Sequence, residues 1–356
     1  MIRLEPRPAH SPIMTWASPL LAVGLTLITG MVIFAALGHD PLISLEAFFI
    51  APLSDVFGLT ELVVKATPLV LIGVGLSIGF RANVWNIGAE GQFTMGAIAG
   101  GGLALLFYEV DSVFLLPAMA LAGILGGMAW AAIPAWLKTR FNANEILTSL
   151  MLTYVAQLTL SWLVHGPWRS PEGYNFPETR LFHDAALMPI LVEGSRLHLG
   201  ALVALAVVAA GWLVMGRSVI GFQLRVVGAA PRAAVYAGFN AKALVWCAML
   251  IGGGLAGLAG LFEVAGPIGQ LLPNISPGYG FTAIIVAFLG RLNPVGVLFA
   301  GLLLALTYLG GEVAQIRIGM PAAVTGIFQG ILLFYLLACD VLILYRVRLG
   351  RARARA

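Results

Sequence analysis

Ten apolar stretches, most of them close to 20 residues long, constrain the fold of this 356-residue chain more than any other feature. About 20 helical residues cross the hydrocarbon core of a bilayer, and a helix satisfies its own backbone hydrogen bonds there. Hydrophobic residues make up 60% of the chain and charged residues 10%, against roughly 25% charged in soluble domains. We therefore predict an all-α polytopic membrane protein, one transmembrane domain over 1–356. The predicted spans are 16–37, 62–79, a third that begins in the polar stretch 80–92 and runs to 108, 114–137, 146–164, 199–215, 243–262, 279–289, 295–310 and 322–344.

The lysines and arginines favour one side of these spans. If the N-terminus is cytoplasmic, the inner side receives fifteen of the twenty and the outer side five. Positive charge concentrates on the cytoplasmic side of membrane proteins, so both termini are predicted to lie inside. The basic cytoplasmic tail 346–356 is expected to bind anionic lipid headgroups rather than nucleic acid. The first apolar run is read as an uncleaved span, because it is long and lacks a clear cleavage site.

The stretch 80–92 places polar side chains between two long apolar runs. Such groups are costly inside a bilayer and usually have a partner or a function. At helical spacing they form two ridges, the polar ridge of Asn86, Glu90 and Thr94 and the glycine ridge of Gly88, Gln92, Gly96 and Gly100. The polar ridge is predicted to line or gate a pathway, with a pairing of Glu90 with Arg81 as one hypothesis. The alternative is a helix start with Asn86 as N-cap.

Two polar connections are longer than helix packing requires. The outer loop 165–198 is expected to have a function or to be disordered. The inner segment 217–241 contains a short helix that begins near Pro231 and ends at Gly238. This helix either docks on a partner protein or lies on the inner leaflet. A further cap is predicted at Asn142, three residues before Glu145.

The sequence Asn-Ile-Gly-Ala-Glu-Gly-Gln at 86–92, after Phe-Arg-Ala at 80–82, resembles the signature of permease subunits of bacterial ABC importers for nucleosides and simple sugars. This family lies in the branched-chain amino acid/ribose-like permease superfamily. Similar matches at 61–69, 144–152 and 276–294 extend the resemblance over roughly 60–345. Trp85 stands where the family pattern has Phe.

The inner segment resembles the coupling helix of the same family, which docks on an ATP-binding subunit. The residues that match this helix are Gly228, Pro231, Arg232, Ala233, Ala234, Tyr236 and Gly238. By resemblance, ATP binding and hydrolysis in the partner move this helix and open the pathway alternately to each side.

The resemblance also implies a type II-like importer permease with ten helices in two inverted five-helix halves. The residues expected at the pathway or gate are Arg81, Asn86, Glu90, Gln92 and Asn293. The implied partners are a cytoplasmic ATPase, a second permease subunit that is a different chain, and an extracytoplasmic substrate-binding protein. The location is the bacterial inner membrane. The solute is predicted to be neutral and polar, a nucleoside or otherwise a simple sugar.

The sequence offers no catalytic or metal-binding pattern. No Gly-x-x-x-x-Gly-Lys-[Ser/Thr] loop is present, and the five histidines are scattered without ligand spacing. We predict that the chain is not an enzyme and that ATP and Mg²⁺ bind to the partner. The alternative function is an ion- or proton-coupled transporter that titrates Glu90 or Glu145. Such a carrier would not need the 228–238 helix.

Overall fold

Helices dominate the part of the chain that this computed structural model describes, residues 2–6 and 12–349. The described residues form thirteen α-helices: α1 Pro12–Ala36, α2 Pro41–Leu45, α3 Val56–Arg81, α4 Ala89–Leu106, α5 Leu115–Phe141, α6 Glu145–His165, α7 Gly200–Arg217, α8 Val219–Ala229, α9 Pro231–Tyr236, α10 Ala241–Glu263, α11 Tyr279–Leu289, α12 Pro294–Ile318 and α13 Ala323–Leu344. Two short antiparallel strands, β1 Ile2–Pro6 and β2 Tyr345–Leu349, pair near the ends of the described chain. The predicted all-α polytopic class is confirmed.

Each of the ten predicted spans corresponds to one helix. Within the described residues, eight helices are long and apolar enough to cross a membrane. The other two are α4, which carries the polar stretch in its first turns, and α11, which has 11 residues. The short α11 follows a one-turn π-helix, Val264–Ile268, and an irregular segment, as its prolines predict. The inverted relation between two halves stays a prediction.

One compact unit contains the residues up to Ser54 and those from Leu306 onward. Within it α1 packs along α13, and Ser18 Oγ donates to Asp340 Oδ1 at 2.7 Å. Three buried rings, those of Phe34, Phe48 and Phe328, form its core with centroids 5.2 to 6.1 Å apart. Residues 350–356 of the predicted basic tail lie outside the described chain.

The second unit, Asp55–Ala305, is built around α3, α4, α5 and α10. Glycines let these helices approach closely. A Cβ on Gly96 would lie 2.2 Å from Gly257 Cα, and one on Gly127 would lie 2.1 Å from Gly253 O. Neither backbone can move aside without separating two helices.

The loop 165–198 is bonded to other parts of the second unit at several points. Phe182 N donates to Gly269 O at 2.8 Å, and Met188 N donates to Ala265 O at 2.8 Å. Near its end, Arg196 forms an ion pair with the buried Glu61 of α3, in which Nε donates to Oε1 at 3.0 Å. These bonds give the loop an ordered path across the ends of α3 and α10.

The predicted cap at Asn142 is wrong. Asn142 ends α5 in the left-handed region, with φ of 54°, and the N-cap of α6 is Asn144. Asn144 Oδ1 accepts from Ile146 N at 2.9 Å. Glu145 forms an ion pair with Lys138 across the turn. The left-handed conformation of Asn142 allows a turn of three residues, 142–144, between α5 and α6. An N-cap at Asn142, two residues before Asn144, would leave no room for this turn.

Candidate translocation and coupling site

A tight turn joins α3 to α4 and carries the polar stretch into the protein. Val84 N donates to Gly79 O at 3.0 Å, and Asn83 has φ of 55°, a conformation that asparagine tolerates better than most residues. The N-cap of α4 is Gly88, without a side-chain hydrogen bond. The interpretation of Asn86 as the N-cap is therefore wrong. Asn86 lies before the helix, and its side chain is bonded elsewhere.

Asn86 and Gln92 form a reciprocal amide pair. Asn86 Nδ2 donates to Gln92 Oε1 at 2.8 Å, and Gln92 Nε2 donates to Asn86 Oδ1 at 2.9 Å. The exposed fractions are 3% and 1%. Two primary amides that satisfy each other in this way lower the cost of burying both. The pair fixes the turn against the first turn of α4.

Glu90 joins α4 to the N-terminus of α11. Its Oε2 accepts from Gly280 N at 2.6 Å, and Ser276 supplies a side-chain hydrogen bond. Only 2% of Glu90 is exposed. A carboxylate at a helix N-terminus interacts favourably with the helix dipole and with backbone N–H groups. The two backbones touch, because a Cβ on Gly280 would lie 2.3 Å from Glu90 N.

Arg81 is not the partner of Glu90 in the described chain, so the hypothesis of their pairing is wrong. The carboxylate binds Gly280 and Ser276 instead. Arg81 ends α3, where its backbone oxygen lies against Gly228 of α8.

Asn293 is exposed, unlike the buried residues Asn86 and Glu90 of the polar ridge. It precedes α12, and its Oδ1 accepts from Val295 N at 3.1 Å. Its visible role is that of a helix cap. Asn86 is paired with Gln92 and Glu90 is bonded to α11, whereas Asn293 is exposed.

The predicted coupling segment forms two helices, α8 and α9. Pro231 occupies the first turn of α9, and Gly238 follows it with φ of 77°, as predicted. Ala234 is fully buried, whereas Arg232, Ala233 and Tyr236 are exposed, the last at 93%. This short helix therefore presents an exposed face.

Gly228, near the end of α8, connects this segment to the polar stretch. A Cβ on Gly228 would lie 2.0 Å from Arg81 O and 3.1 Å from Ala82 C. The end of α8 thus rests directly on the turn that follows α3. α8 and the α3–α4 turn are therefore in direct backbone contact.

Over residues 58–337 the chain matches the family described as branched-chain amino acid transport system / permease component. The chain belongs to this permease family. It is 39% identical to the glucose ABC transporter permease protein TsgB13 of Haloferax volcanii, over 97% of the chain and 93% of the relative. It is 31% identical to the guanosine ABC transporter permease protein NupP of Bacillus subtilis, over 89% and 91%. It is 26% identical to the nucleoside ABC transporter permease protein NupB of Lactococcus lactis, over 94% and 93%.

Sequence reasoning did not find the partners of Glu90 in this permease. Gly280 and Ser276 lie in 276–294, one of the stretches that match the family pattern, but 190 residues separate Gly280 from Glu90. The donor at Gly280 is a backbone N–H, which every non-proline residue has. The available signal was the glycine itself, since a close approach of two backbones requires one.

Proposed function

We propose that this permease is the membrane-spanning subunit of an ATP-driven ABC importer for a neutral polar solute, a nucleoside or a simple sugar. The relatives named for glucose, guanosine and nucleoside transport support this substrate class. The polar groups at the α3–α4 turn, two amides and one bonded carboxylate, suit an uncharged solute better than an ion. Arg81, Asn86, Glu90, Gln92 and Asn293 line or gate the pathway.

The observation that carries this proposal is the backbone contact between Gly228 and Arg81. It connects a cytoplasmic helix with an exposed face to the turn that holds the buried polar pair. A permease that is driven by ATP hydrolysis in a partner subunit needs such a connection, whereas a carrier that is driven by an ion gradient does not. The ATPase subunit binds ATP and Mg²⁺ and docks on α9, while this chain has no catalytic role.

The proposed assembly contains a second, different permease chain and an extracytoplasmic binding protein that docks on the loop 165–198. Both termini lie in the cytoplasm, on the evidence of the positive-inside bias. In the alternative function, a proton-coupled carrier, Glu90 or Glu145 would titrate. Both carboxylates already have partners, Gly280 and Lys138 respectively.

The test is uptake by proteoliposomes that contain this chain, the second permease and the ATPase. We expect uptake of radiolabelled guanosine or glucose that requires internal ATP and the binding protein and that survives dissipation of ion gradients by ionophores. Competition by unlabelled nucleosides, bases and hexoses then assigns the solute class. Uptake that persists without ATP and stops with a proton ionophore would establish the carrier instead.

A further inference from the structure

A cavity of about 520 Å³ lies among α3, α5, α7 and α10, away from the polar ridge. All four helices are long and apolar enough to cross a membrane. The lining consists of aliphatic side chains, methionine, two glycines and one cysteine. The lining residues nearest the predicted cytoplasmic ends of the helices are Val74, Ile78, Val214 and Cys247. These side chains offer no polar partner to a nucleoside or sugar, whereas the acyl chain of a lipid can bury its apolar surface against them.

The cavity lies close to the C-terminal end of α3, which carries the positive charge of Arg81. Val74, Ile78 and Arg81 fall on one face of this helix, at spacings of four and three residues. Arg81 is therefore about one turn nearer the predicted cytoplasmic surface than Ile78, roughly 4.5 Å along the axis. Arg225 is exposed on α8 and lies one turn before Gly228, the residue whose backbone rests on Arg81 O, so the two arginines lie near each other. Two like charges together at this depth favour an anion between them.

The surrounding charges give these arginines little compensation. On the predicted inner side of the second unit, the described chain has eight Lys or Arg residues and two carboxylates. The carboxylates are Glu90 and Glu145, and both are bonded to other groups. An anion that compensates these arginines would then come from outside the second unit, and the inner leaflet supplies anionic headgroups at this height.

We infer that the cavity and the Arg81–Arg225 pair form a binding site for one anionic phospholipid of the inner leaflet. The acyl chain fills the apolar cavity, and the headgroup phosphate lies between the two guanidinium groups. The site touches both parts of the coupling connection, because Arg81 ends α3 and Arg225 belongs to α8, which contacts the α3–α4 turn through Gly228. An anionic lipid therefore holds α8 against α3.

The first experiment measures lipid retained by the purified full-length chain. After reconstitution with phosphatidylglycerol or phosphatidylcholine and return to detergent, native mass spectrometry counts bound lipid per chain. We expect one retained phosphatidylglycerol and little phosphatidylcholine. Arg225→Gln is expected to lower retention about fivefold, the factor expected for one basic residue near an anionic headgroup. The control Arg140→Gln removes an exposed cation on α5 that lies off the cavity-lining face, and it retains the lipid.

The second experiment fills the cavity. Ala210 lines it and is exposed on α7, so Ala210→Phe occupies the space without disturbing the packed core. Ala209, also exposed and one position earlier, does not line the cavity, and Ala209→Phe is the matched control. We expect loss of bound phosphatidylglycerol in the first variant alone, with both eluting as folded protein in size-exclusion chromatography.

A phosphatidylglycerol with a photoreactive acyl chain locates the site directly. Cross-links are expected on peptides that contain Met128 or Leu250, which line the cavity. Equal retention of both lipids, unchanged retention in Arg225→Gln and Ala210→Phe, or cross-links only at other surfaces would overturn the inference. A disulfide between two chains through Cys247 would also overturn it, because the cavity would then be an interface between polypeptides. None of these readouts depends on transport, so they stand apart from the proposed function.

Discussion

Gly228→Ala is the substitution that most directly tests the proposed connection between α8 and the residues proposed to gate the pathway. The added Cβ would lie 2.0 Å from Arg81 O, whereas ordinary contact begins near 3.4 Å, so the two backbones must separate by about 1.4 Å. Arg81 O belongs to the main chain, and the main chain of residue 228 fixes the position of the Cβ, so no side-chain rotation relieves the clash. Overpacking of this kind costs roughly 1–3 kcal/mol. This cost falls on the state in which α8 rests on the α3–α4 turn.

Loss of 1–3 kcal/mol of coupling free energy corresponds to about a 5- to 150-fold change in coupling. We therefore expect Gly228→Ala to lower uptake per ATP hydrolysed by at least fivefold, while basal hydrolysis by the partner continues. The control is Gly216→Ala at the end of α7, where no atom lies within 4 Å of the added Cβ. The assay measures uptake and phosphate release in the same proteoliposomes. A normal ratio of uptake to hydrolysis in Gly228→Ala would refute the proposed route of coupling.

Three further outcomes are expected. Glu90→Gln keeps an acceptor for Gly280 N–H but loses a charge–dipole interaction of ~0.3–1 kcal/mol. Glu90→Ala leaves the Gly280 donor unsatisfied, at a cost of ~1–3 kcal/mol. Uptake per assembled complex should therefore be highest in wild type, lower in Glu90→Gln and lowest in Glu90→Ala. Tyr236→Ala should weaken ATPase capture about tenfold with normal insertion, as truncation of an interface tyrosine does, whereas Ala234→Glu should disrupt α9. Burial lowers the pKa of His198 from 6.5 to about 4. His198 is thus neutral in the attached loop at a pH where it would bind a proton in the detached loop. The free energy that favours attachment therefore falls by up to ~3 kcal/mol as the pH falls from about 6.5 towards 4. Hydrogen exchange of residues 190–199 should rise with acidity in wild type and change less in His198→Gln.

The helices could be predicted from sequence because each span is specified by its own composition. Hydrophobic runs of bilayer length predict helices wherever they occur, and Tyr279–Leu289 is found at the predicted bounds. The turn of α9 is equally local, with Pro231 at its start and Gly238 after its end. Such signals depend on residues a few positions apart.

The polar site was only half predictable for the same reason. The burial of Asn86, Glu90 and Gln92 follows from their position between apolar runs, but their partners do not. Gln92 is six residues from Asn86, yet pairing between them requires the turn geometry that Asn83 makes possible. The partner of Glu90 depends on how α11 packs, which no local pattern encodes. Opposite charge had suggested Arg81 as the partner of Glu90, but the packing of α11 against α4 places the backbone N–H of Gly280 there instead.

The bond between Glu90 and Gly280 also has a consequence for biosynthesis. Its two ends lie 190 residues apart, so a chain that grows by about 5–20 residues per second makes the carboxylate roughly 10–40 s before its partner. During that time α4, which is not among the helices apolar enough to cross a membrane by composition, must wait with Glu90 unbonded to α11. The amide pair of Asn86 and Gln92 needs only its own turn and can form at once. Slow synthesis beyond α4 should therefore expose this intermediate to membrane quality control, and premature termination before residue 280 should leave α4 the first helix to be extracted.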